Sequence, residues 1–154
     1  MANLSGWPQA FATDTTVIDV GTPTAGILAR ARDADGAEYV YLSGTASTVA
    51  GKWVTYLANG STALLTANAN GPVAVAMTRN IGASNYAWYF VKGVGTATIA
   101  DAVTAAGEAQ TLYISGTANY AGITDVAADT IFGAMYIGLG GSATGGTTSV
   151  KVWL

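Results

Sequence analysis

The chain has 154 residues, with 20 glycines, 30 alanines, 10% charged residues and a net charge of −3. That length is one domain's worth and buries roughly 70% of its unfolded surface, so neither a disulfide nor a metal is needed for folding. Histidine and cysteine are both absent, which removes Ser-His-Asp and Cys-His catalysis, thiol redox chemistry and ordinary zinc sites.

Met1 to Thr16 reads as an extended N-terminal arm, with Trp7 as its candidate apolar anchor and Phe11 as a further candidate interface residue. Its first eight residues hold no basic region and no apolar run, so no signal peptide is expected. Residues 17–154 then read as one β-rich domain. Val17–Val20 is a short strand closed by Gly21-Thr22-Pro23. Ile27–Arg32 and Glu38–Leu42 flank Asp33-Ala34-Asp35-Gly36, a hairpin signal because Asp-Gly supplies the positive φ of a tight turn. Lys52–Leu57 is the next strand, followed by Asn59-Gly60. Ser61 to Asn68 fits one or two helical turns with Ser61 as the cap, ended by Gly71-Pro72. Val73–Thr78 is an apolar strand.

Tyr86–Lys92 is the most informative segment. Strand alternation places Tyr86, Trp88 and Phe90 on one face and Ala87, Tyr89 and Val91 on the other. Neither face is polar, so the strand is central in a sheet or one of its faces meets a partner. Trp88, Tyr89 and Phe90 therefore join Trp7 and Phe11 as candidate interface residues. Thr96–Ile99, Thr111–Ser115, Ile131–Ile137 and Val150–Leu154 complete nine or ten short strands, with Gly138–Gly146 read as a loop or bulge. The fold class is all-β: a sandwich or barrel of short antiparallel strands with long loops and at most one short helix.

Trp53–Thr78 is uncharged over 26 residues, yet Asn59, Gly60, Asn68, Asn70, Gly71 and Pro72 interrupt it, so no membrane span is expected. Six basic residues against nine acidic ones give no nucleic-acid stripe. Tyr41-Leu42-Ser43-Gly44-Thr45-Ala46 is echoed by Tyr113-Ile114-Ser115-Gly116-Thr117-Ala118; two copies are too few for a solenoid.

The carboxylates are Asp14, Asp19, Asp33, Asp35, Glu38, Asp101, Glu108, Asp125 and Asp129. Most such groups are solvated turn residues. Asp33-x-Asp35-Gly36-x-Glu38 resembles half a calcium loop but lacks the further oxygen ligands at fixed spacing that a full loop requires; the plain reading is a hairpin turn. Gly93-Val94-Gly95 and Gly138–Gly146 carry neither a phosphate-loop lysine nor a dinucleotide fingerprint. No catalytic residue, cofactor or metal is expected. A weakly charged, β-rich surface suits association, because it is desolvated without stranding ions.

Gly51-Lys52-Trp53-Val54-Thr55-Tyr56, the run Thr62 to Met77, Tyr86-Ala87-Trp88-Tyr89 and Lys92-Gly93 carry a resemblance to small structural proteins of tailed bacteriophages. The likeness spans roughly Gly36 to Ala134, fading through Val126 to Ile131; head-decoration, or cement, proteins look similar in composition and in the strand-to-Lys-Gly pattern. It departs from the family pattern at Lys151-Val152-Trp153-Leu154, after the Gly/Thr-rich stretch. The resemblance implies a non-enzymatic virion protein on the outside of an icosahedral head. It would be assembled in the host bacterial cytoplasm, with the major capsid protein as partner and a homotrimer as the favoured state. A tail or fibre component and a carbohydrate-binding, adhesin-like module are the alternatives.

Overall fold

A computed structural model describes residues 18–21, 25–79, 82–100, 110–115, 120–123, 129–144 and 147–154; the arm, with Trp7 and Phe11, lies outside them. Every regular element among them is a strand, as the β-branched and aromatic vocabulary predicts. They are β1 Ile18–Val20, β2 Arg30–Arg32, β3 Glu38–Ser43, β4 Trp53–Tyr56, β5 Thr62–Leu64, β6 Val73–Ala76, β7 Asn85–Lys92, β8 Val94–Ile99, β9 Gln110–Ile114, β10 Ala121–Gly122, β11 Thr130–Thr144 and β12 Thr147–Trp153. No helix among them is long and apolar enough to cross a membrane.

The first seven strands form one antiparallel sheet in the order β2-β3-β7-β6-β4-β5, with β1 also on β7. Strand β7 is central, as its two apolar faces require. It pairs with β3 along its whole length, while β1 and β6 share its other edge, at residues 85–87 and 89–90 respectively. The alternation holds. Phe90 and Trp88 lie on the inner face with Tyr39, Trp53, Leu65 and Val75, whereas Ala87, Tyr89 and Val91 lie on the outer face with Val40, Leu42, Val54, Ala74 and Ala76.

Two hairpins show how side chains set the turns. In the first, Asp33 Oδ1 accepts the backbone N–H groups of Asp35 (3.0 Å) and Ala37 (2.9 Å), and Oδ2 accepts the Tyr39 hydroxyl at 2.7 Å. Gly36 takes the positive φ of 88° that the turn needs. The second corrects the helical reading of Ser61–Asn68. Asn59 Oδ1 accepts both the N–H (3.0 Å) and the hydroxyl (2.7 Å) of Ser61, so Ser61 serves the turn and caps no helix. Thr62–Leu64 then pairs with Val54–Tyr56, because a strand edge was available to take the backbone groups a helix would otherwise have satisfied.

The last five strands close a barrel, β10-β8-β12-β11-β9, and return to β10. Two expectations need amending here. The β8–β10 contact is parallel, through Ala121 and Ile99, and β11 is a long strand of 15 residues that absorbs much of the expected glycine-rich loop. Register shifts between Tyr136 and Gly138 and between Leu139 and Ala143 show the bulges that this glycine content permits. The echoed segments begin on β3 of the sheet and β9 of the barrel, so they are not stacked repeats.

Sheet and barrel share a core. Ala97, Ile99, Leu112, Ile114, Ala121, Ile131, Ala134, Tyr136 and Val152 fill the barrel and continue into Phe90, Trp53, Leu65 and Val75. Each large apolar side chain so buried contributes about 1.5–3 kcal/mol. The seam is also tied by polar bonds: Trp53 Nε1 donates to the Thr98 carbonyl at 2.9 Å, and the Thr98 N–H donates to the Gly51 carbonyl at 3.0 Å. Gly93 and Leu154 exchange reciprocal backbone bonds of 3.0 and 3.1 Å beside it.

Candidate interaction surface

The aromatic strand is inner structure for the most part. Aromatic residues on β3 and β7 build a ladder: directly opposite, Tyr39 against Phe90 at 6.1 Å between ring centroids and Tyr41 against Trp88 at 5.2 Å, and diagonally, Tyr41 stacked on Tyr86 at 6.2 Å. Such cross-strand pairs stabilise a sheet by lateral ring contact. Tyr89 and Phe90 are fully buried in their own chain. Their reading as contact residues for a partner is therefore corrected: neither side chain has accessible surface to present. Trp88 is half-buried against the same core.

Three charged side chains of the sheet, Arg32, Glu38 and Lys92, are committed to one another. Glu38 is buried, and its Oε1 takes Arg32 at 2.5 Å and Lys92 at 3.5 Å. The hydrogen bond from Arg32, with the two positive charges, outweighs desolvation and holds the Glu38 carboxyl below its ordinary value. Burial, reinforced by the bond to Asp33, pushes the Tyr39 hydroxyl well above the usual tyrosine range. Asp33 and Glu38, the ends of the half-calcium pattern, thus hold a turn and an ion-pair group. Among the described residues no three acidic side chains form a metal-binding group.

Of the exposed large apolar residues, Ile27, Val49 and Leu57 lie in connections of the sheet, and the other four lie on strands of the barrel. Val94 of β8 stands opposite Trp153 of β12, and Trp153 stands opposite Met135 of β11. The three form a row across three adjacent strands, 50%, 46% and 36% exposed. Phe132, also on β11, is 94% exposed. Phe132 and Met135 are three residues apart and would point to opposite faces of a regular strand. Gly133, with φ of +80°, breaks the alternation, and the β9–β11 register shifts there. Ile131, Ala134 and Tyr136 consequently all turn into the barrel while Phe132 and Met135 both turn out. No protein-family model, curated protein or solved structure matches the chain.

Two hollows flank this architecture. One, of about 470 Å³, opens between the 68–73 segment and the barrel and is lined by Asn68, Asn70, Pro72, Asp129, Ile131 and Phe132, among others. The other, of about 560 Å³, lies on the outer face of the sheet, where Leu28, Val40, Tyr56, Leu57 and Pro72 form an apolar wall with Arg30 beside it. Neither hollow, nor the barrel row, is legible as a sequence motif; the row depends on pairing residues 94, 135 and 153.

Proposed function

We propose that this chain is a non-enzymatic virion structural protein, a decoration or cement protein that binds the exterior of a phage head and stabilises contacts between major capsid protein subunits. The observation that carries the reading is the Val94–Trp153–Met135 row with Phe132 on the barrel's outer face. Large apolar side chains grouped on a surface favour association. The surrounding chain is only 10% charged, so docking leaves few ions to desolvate. The resemblance in the 36–134 region points the same way. Binding to the expanded shell and not to its precursor would stabilise the expanded state by mass action. Many copies make small energies at each site add up. A homotrimer is the favoured arrangement, and the 1–16 arm is a second contact.

The test is quantitative mass spectrometry of purified particles against the major shell protein, followed by shell-binding assays. Hundreds of copies in a simple ratio to the shell protein support the reading. Trp153→Ser and Phe132→Ser are then expected to weaken shell binding at least tenfold without unfolding the chain, and deletion of residues 1–12 to weaken it further. A dozen copies or fewer move the protein to the tail or a vertex, and absence from particles overturns the virion reading in favour of a sugar-binding module.

A further inference from the structure

The cleft between the 68–73 segment and the barrel carries one charge and one free aromatic face. Asp129 is nine-tenths buried. Its Oδ1 accepts a long hydrogen bond of 3.3 Å from the Asn68 N–H, the one bond its carboxylate receives among the described residues. The backbone around it is fixed, since the Ile114 N–H donates to the Asp129 carbonyl at 2.7 Å. No lysine or arginine lines the cleft, and neither salt bridge of the described residues involves Asp129. Phe132 stands at the same cleft with its ring almost wholly in solvent. The remaining polar lining consists of Asn68, Asn70 and Thr130.

A carboxylate that lines a cleft and accepts one long hydrogen bond has acceptor capacity left for a donor to fill. A planar cation fills it best. It meets the carboxylate with charge-assisted, paired N–H donors and lies over the phenyl face. A neutral polyol would supply hydrogen bonds but no charge. An anion would be repelled. We infer that this cleft receives an arginine side chain of a partner protein, its guanidinium held by Asp129 and covered by Phe132. Guanidinium recognition deepens the docking reading through Phe132, which belongs to both surfaces, and rests on it only for the identity of the partner.

The test uses the free protein and a small probe. N-acetyl-arginine-N-methylamide is titrated into the isotope-labelled chain at low salt while amide NMR signals are followed, with the citrulline analogue as the neutral isostere. Saturable shifts at the 68–70 and 129–132 amides, at least tenfold stronger for arginine than for citrulline and weakened by added salt, are the expected result. Asp129→Asn should weaken binding at least tenfold. Phe132→Ala, a change at an exposed ring that leaves the core untouched, should weaken it about two- to fivefold, the range of an exposed cation–π contact. Equal binding of citrulline, no shift with arginine, or shifts at these amides with methyl glucoside alone would overturn the inference. Any of these can occur while particle copy number and the Trp153 variant still support docking, so the two readings fail separately.

Discussion

The seam between sheet and barrel can be tested at Gly95. A Cβ there would lie 2.8 Å from both Cε1 and Cζ of Phe90 and 3.0 Å from Cδ1. Phe90 is fully buried and tilted against Tyr39, so its ring has no open space to enter. Gly95 does not occupy the positive-φ region, and alanine there meets a steric obstacle without backbone strain. Overpacking of this kind costs about 1–3 kcal/mol, and about 2 is expected for Gly95→Ala. Phe90→Leu opens space at the contact and costs about 1–2 kcal/mol alone, less than full truncation to alanine. Because the two side chains would collide, the double variant should be at least about 1 kcal/mol more stable than the sum of the single changes predicts. Urea unfolding followed by tryptophan fluorescence measures all four corners of the cycle, with unchanged m-values as the check on two-state behaviour. Additive effects, or a Gly95→Ala cost below about 0.5 kcal/mol, would refute the steric account of the seam.

Trp53→Phe removes the donor to the Thr98 carbonyl and should cost about 1–3 kcal/mol in the same assay, with barrel amides losing hydrogen-exchange protection first. Tyr136 has a buried hydroxyl with no hydrogen-bond partner among the described residues, so Tyr136→Phe should leave stability unchanged or raise it by up to about 1 kcal/mol; a clear loss in thermal unfolding would refute this. Glu38→Gln should cost about 1–2 kcal/mol at neutral pH, the low side for a charge-assisted bond because Arg32 remains partly exposed. The Glu38 carboxyl is depressed on folding, so its contribution is fully present above its ordinary value of 4.5 and is lost as pH falls through the lower folded value. Wild type and Glu38→Gln should therefore converge in acid; a constant gap in unfolding free energy from pH 7 to pH 2 would count against it.

Local periodicity made the sheet readable. The alternation of Tyr86 to Val91 assigned both faces of its central strand, and Asp33 to Gly36 announced their hairpin before any pairing was known. The Asn59-Gly60 turn carried the same chemistry, but Ser61 and the following Ala-Leu-Leu also suit a helix; long-range pairing with β4 decided between them. In the barrel, glycine hid strand length: Gly138 and the glycines after it occur inside β11, where composition alone reads a loop or bulge. The candidate surface was hidden for a different reason. Residues 94, 135 and 153 become neighbours only through register, and Phe132 faces outward beside Met135 only because one glycine interrupts the alternation.

The order of the strands along the chain has a consequence during synthesis. All seven strands of the sheet precede all five of the barrel, and β12, the last of the twelve in chain order, must insert between β8 and β11 before the barrel can close. A nascent sheet therefore waits with Trp53, Val75 and Phe90 unsheltered while some sixty further residues are translated, an interval of several seconds at about 5–20 residues per second. Slower elongation over the barrel region would lengthen that vulnerable interval and divert more chains into aggregates, without altering a single contact of the finished molecule.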